Sequence, residues 1–228
     1  DLGITPRDDG GQLSGNCLEG NACLGMINAP SFIQVGPSSG NFGLANTVTI
    51  QGAITSDNTS IRSRDTLTFG DGANEFEING ASSLFLESTL GDVLFNGPVT
   101  VTGGGGDGES EGTFVIAANG NIIGEQARLI SDGDMGLNAS GDIRLDTIDA
   151  GGRLETYRFD SSPLPYIDIG GTFSVSNVLR TGASSDIRAA QGIYLDTTNI
   201  NGNLNLTSSG GDVFVGFDLF ATGTANAT

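Results

Sequence analysis

Carboxylates and arginines carry most of the chemistry open to this chain of 228 residues, 27 of them acidic and 9 basic. Every basic residue is arginine; lysine, histidine and tryptophan are absent. Those absences remove His-based triads, imidazole metal sites, Schiff-base lysines, Walker-type phosphate lysines and lysine isopeptide crosslinks. Between Arg64 and Arg128 lie ten acidic residues and no base. Within that run Asp65, Asp71, Glu75, Glu77, Glu87 and Asp92, with Arg62 and Arg64 nearby, have the side-chain types of an acid/base pair or of an acidic groove for a hard cation. No Asp-Asp pair in a strand-turn setting accompanies them, so a solvated acidic face is the expectation and catalysis is not. Asp107, Glu109 and Glu111, and separately Asp132 and Asp134, are the calcium candidates. They lack a nine-residue calcium-binding repeat, which limits the expectation to low-affinity binding driven by charge. No cofactor is expected.

Cys17 and Cys23 are the only cysteines, six apart around a Gly-Asn turn. They read as a local disulfide and an oxidising compartment, with free thiols or a bridge to a neighbouring subunit as alternatives. Zinc would need two more soft ligands than the chain contains. Tyr157, Phe159 and Tyr166 sit in an aromatic, Pro-containing stretch, suited to stacking on sugar rings, anchoring a protein, or packing on the body of the fold. Asn58, Asn138, Asn205 and Asn226 each open an Asn-x-Ser/Thr triplet, at a frequency that composition explains. The net charge of −18 argues against nucleic acid and anionic membrane surfaces as partners. No apolar run approaches the ~18 residues of a membrane span. The chain opens at Asp1 without a signal-type segment, which suits a processed or excised portion.

What must position these residues is legible in the apolar pattern. From Val48 onward, pairs with one residue between them recur: Val48/Ile50, Leu67/Phe69, Phe76/Ile78, Leu84/Leu86, Val93/Phe95, Val99/Val101, Met135/Leu137, Ile143/Leu145, Ile167/Ile169, Phe173/Val175, Ile193/Leu195, Leu204/Leu206 and Val213/Val215. Period two makes one inward and one solvated strand face. Glycine, at 37 residues, is about twice its usual frequency. It bounds these bursts together with Asn, Asp and Ser, including Asn-Gly at 79–80, 96–97, 119–120 and 201–202. Helix is not expected.

A unit of Gly-Asp followed by apolar-x-apolar recurs at 91–95, 133–137, 141–145 and 211–215. Close variants stand at Gly192-Ile193-Tyr194-Leu195 and Gly202-Asn203-Leu204-Asn205-Leu206. Neighbouring units 8 to 10 residues apart match one face of a coil plus its corner. A sandwich of hairpins would not repeat the same opening at successive strands. The expectation is therefore a β-solenoid over 45–228, of about 20 residues per coil and roughly 9 rungs. Residues 1–44 lack sustained alternation and read as an irregular cap, linker or inter-subunit element. Loop insertions are expected at 103–112 and 153–166.

Runs such as Gly141-Asp142-Ile143-Arg144-Leu145-Asp146-Thr147-Ile148-Asp149-Ala150-Gly151-Gly152, and Ser208 to Val215, resemble filamentous-haemagglutinin-type repeats of large bacterial exoproteins, cyanobacterial members among them. The resemblance covers roughly residues 45–220. It implies a right-handed parallel β-helix, secreted or at the cell surface, used in adhesion, aggregation or matrix building. The family's Asn-Pro-Asn-Gly-type secretion motif is absent. Parallel β-helices also carry polysaccharide lyases and hydrolases, which makes an enzyme acting through Asp65 or Glu75 the third reading. A monomeric adhesin that binds cell-surface glycans is the second. The first is a non-enzymatic, self-assembling extracellular fibre or adhesin, stacked head to tail through strand-like residues near the end, Phe217, Leu219 and Phe220.

Overall fold

The computed structural model describes residues 22–24, 27–28, 32–35, 45–104, 113–157, 163–164 and 167–228, and for 22–32 and 155–168 it describes backbone alone. Cys17, Asp107, Glu109, Glu111, Phe159 and Tyr166 lie outside the described residues, and Cys23 and Tyr157 are placed only as strand backbone. The chain is all-β: parallel strands stack into a β-solenoid of about 7 turns, with no helix among the described residues.

Strand register divides each coil into three walls. The first wall stacks Thr47–Ile50, Thr66–Phe69 and Val93–Phe95, then continues through 122–124, 143–145, 172–175 and 192–195 to Val213–Val215. The second runs from 54–56 through 76–80, Val99–Gly103, 128–131, 147–150, 178–181 and 197–200 to Leu219–Ala221. In the third, 58–63, 83–88, Thr113–Ala117, Met135–Ala139 and Leu154–Tyr157 form one ladder. Ile167–Ile169, Ser185–Ala189, Leu204–Ser208 and Ala225–Ala227 form a second one towards the end of the chain. Three short strands from the N-terminal segment, Ala22–Leu24, Ile27–Asn28 and Phe32–Val35, pair in parallel with the coil that begins at Thr47.

Over 45–220, eight rungs stack on the first wall and make about 7 turns, against the roughly 9 expected. Coil length varies, because the register advances 19 residues from Thr47 to Thr66 but 31 from Thr147 to Val178. Loops interrupt individual coils, so fewer of them fit into the same chain. At about 4.8 Å per rung, about 7 turns make a prism roughly 34 Å tall.

The alternating pairs form the core. Val48, Leu67, Val93, Ile122, Ile143, Phe173 and Ile193 stack in one fully buried column, and Ile78, Val101, Leu129, Ile148 and Leu179 are buried on the second wall. Phe69 and Phe95 stack with ring centroids 5.5 Å apart across adjacent rungs, and Phe76 lies 6.4 Å from Phe69. A rung alone would expose its whole inner face, so burial comes from its neighbours. Bends between walls often fall inside continuous strands such as Phe76–Ser88, which swallows the expected Asn79-Gly80 turn. Register slips at these bends, for example between Leu145 and Thr147, absorb the change of direction.

Candidate functional site

The repeated Gly-Asp unit is a corner device in which each residue has a separate role. Asp92 Oδ1 accepts the backbone N–H of Asn121, one coil on, at 2.7 Å, and the Asn121 side-chain amide at 2.9 Å. Asn121 Oδ1 accepts from the Asp142 N–H at 2.8 Å, and Asp142 Oδ1 from the Thr172 N–H at 2.8 Å. Another corner repeats the pattern: Asp134 accepts from the Arg153 N–H at 2.7 Å, Ser184 Oγ from Asn203 at 2.9 Å, and Asn203 Oδ1 from Thr224 at 2.9 Å. Each acidic or amide side chain caps a donor that the bend removes from the strand ladder, as a helix cap does for a first-turn N–H.

Most of the corner glycines serve approach, with only some serving a turn. A methyl added at Gly91 would meet the Asp65 carbonyl oxygen, and one at Gly211 the Gln191 carbonyl oxygen, each one coil back. Gly97 and Gly202, from two of the Asn-Gly pairs, do have positive φ, of 100° and 142°.

The carboxylates weighed for catalysis or metal binding are mostly engaged. Glu87 is 2 % exposed and paired with Arg62 across one rung of the third wall. Asp71 lies in an exposed turn, where the N–H groups of Asn74 and Ala73 and the Asn74 side chain hold its carboxyl down at about 2. Asp92 caps Asn121, and Asp65 lies 4.0 Å from Arg64. Glu75 and Glu77 are exposed. Among the calcium candidates, Asp134 pairs with Arg153 at 3.1 Å and Asp132 stands exposed. No group of three His, Cys, Asp or Glu side chains able to hold a metal ion occurs among the described residues.

Two features escaped sequence reasoning. On the outer side of the third wall, Phe114 and Ile116 are buried in a small cluster with Phe85 and Ala118, and the Arg62–Glu87 pair is buried on the same side. The signal was the unbroken run Phe114-Val115-Ile116-Ala117, which buries both strand faces where alternation predicts one. The other feature is a column of outward residues on the second wall, Asp149, Arg180, Asn199 and Phe220, aligned only by the register.

The coil at 213–221 repeats the same pattern, and its side chains are more exposed because no further rung of the described residues lies on it. Leu219 continues the inward column of Ile148, Leu179 and Thr198, yet it is 48 % exposed while those below are buried. Val213, Val215 and Ala221 are only partly buried. Phe214 and Phe217 are 58 % and 84 % exposed, Phe214 on the outer face beside Tyr194 and Phe217 at the following corner. Phe220 aligns with outward-facing Asn199. Asp212 holds the corner position that Asp92, Asn121 and Asp142 use to cap the next coil. Its strand edge, its inner column and the Asp212 carboxylate are the features on which a further rung, from following chain or from another copy, would stack.

Comparison with protein-family models, curated proteins and solved structures returns no match.

Proposed function

We propose that this chain is a non-enzymatic extracellular structural protein, a unit of a surface fibre, adhesin or matrix filament built by stacking solenoid on solenoid. The observation that carries this reading is the rung-on-rung stacking itself, in which parallel strand pairing, a buried inner column and side-chain corner caps join each coil to the next. The coil at 213–221 offers all three to an incoming rung. A second copy supplying that rung makes a heterologous contact, which propagates and does not close. The similarity of the repeats to filamentous-haemagglutinin-type exoproteins supports the same reading, as does the use of Glu87, Asp92, Asp134, Asp142 and Asp149 in caps and ion pairs. The net charge of −18 keeps neighbouring filaments apart, and calcium would bundle them by screening.

The test is sedimentation velocity over a concentration series on the 228-residue chain, beside Leu219→Asp and Asp212→Ala. The reading expects mass to grow with concentration in the parent, to collapse to monomer in Leu219→Asp and to grow less in Asp212→Ala. Monomer throughout, or assembly indifferent to both substitutions, would overturn it.

A further inference from the structure

We infer that the outer face of the second wall carries a binding groove for a neutral oligosaccharide. An open groove of about 560 Å³ lies there, within the volume range of small-ligand sites. It is lined by Asp149, Arg180, Asn199 and Phe220, with Asn201 and Thr222 along one side. The first four are successive register partners on four adjacent rungs, so they form a straight file along the axis at about 4.8 Å intervals. That interval is close to the rise of one pyranose in an extended β-linked chain, which lets consecutive sugar rings meet consecutive rungs.

The side-chain chemistry narrows the ligand. Phe220 is 60 % exposed and offers a flat apolar platform, the surface on which the C–H face of a pyranose stacks. Asn199 and Asn201 present amides, Thr222 a hydroxyl, and Arg180 a guanidinium with donors beyond the one facing Asp149. Planar polar groups with paired donors and acceptors match vicinal hydroxyls. Arg180 and Asp149 form an ion pair, so the groove carries no net charge of its own. The surrounding charge of −18 disfavours uronic or sulfated chains. An extended peptide fits less well, because on the rungs of Asp149, Arg180 and Asn199 the backbone groups are already spent in rung-to-rung pairing.

The experiment is isothermal titration of the whole chain with cellohexaose, maltohexaose and chitohexaose, with a heparin hexasaccharide as the anionic comparison, and amide shifts recorded by NMR. The expected result is saturable binding of cellohexaose or chitohexaose, the extended β-linked chains, and not of the α-linked maltohexaose, with shifts centred on residues 199–201 and 220–222. Phe220→Ala and Asn199→Ala should each weaken binding roughly tenfold, while Phe220→Trp retains it. Tyr157→Ala should leave it unchanged. The substituted side chains are on the outer face, and circular dichroism checks that each variant keeps its strand content. Absence of binding by both cellohexaose and chitohexaose, binding by maltohexaose or heparin alone, or binding that survives both alanine substitutions would overturn the inference.

Discussion

Replacing Asp142 by alanine tests the corner device where it is best connected. Its Oδ1 accepts the Thr172 N–H at 2.8 Å, a bond between coils 30 residues apart in sequence, and its Oδ2 faces Arg144. A hydrogen bond to a charged acceptor contributes about 1.5–3 kcal/mol, and cap removal typically costs about 1 kcal/mol. The Arg144 pair adds little, because the Arg144 side chain is 50 % exposed and salt screens it. Together these predict a loss of about 1.5–2 kcal/mol. For a chain of this size that is a fall in melting temperature of roughly 4–7 °C. Asp142→Asn keeps an acceptor oxygen and should lose about half as much. Thermal and urea unfolding followed by circular dichroism measure the sum, and amide exchange at Thr172 locates it, since coils open against their neighbours one at a time. The reasoning fails if Asp142→Ala stays within the ~0.5 kcal/mol scatter of ordinary surface changes. It also fails if high salt abolishes the difference, which would assign the effect to the ion pair.

Three further outcomes follow from the same structure. Glu87→Ala removes the buried carboxylate that pairs with Arg62 and should cost about 3–5 kcal/mol in urea unfolding, whereas replacing both by apolar residues should recover most of that. Gly91→Ala forces a methyl onto the Asp65 carbonyl and should destabilise the chain by more than about 1 kcal/mol, although φ at Gly91 is not positive. The Asp71 carboxyl should titrate by NMR at about 2 and move upward in Asn74→Ala, which removes one of its donors. Because its folded value is depressed, the order this turn gains from the charge is full above the ordinary carboxylate range and is lost as pH falls through about 2.

Much of the fold was legible because a solenoid repeats its own grammar. Val48/Ile50, Leu67/Phe69 and Ile193/Leu195 announced inward columns, and the structure buries all six. The Gly-Asp unit was legible as a corner, but its mechanism was not. Asp and Asn serve less to shape their own turn than to cap the next coil, and Gly91 and Gly211 clear space for the previous one. Both are relations between residues about 20 to 30 apart, set by coil lengths that the sequence does not mark. The same variability made the rung count too high. The outer cluster around Phe114 and the file from Asp149 to Phe220 were hidden for related reasons. The first breaks the period-two rule, and the second exists only once register aligns four distant positions.

The central claim is that the open coil is used. Negative-stain electron microscopy and fibre diffraction of the concentrated 228-residue chain, with and without calcium, test it most directly. The account predicts unbranched filaments with a meridional spacing near 4.8 Å, absent in Leu219→Asp. Isolated particles about 34 Å tall at every concentration, identical in parent and variant, would contradict it.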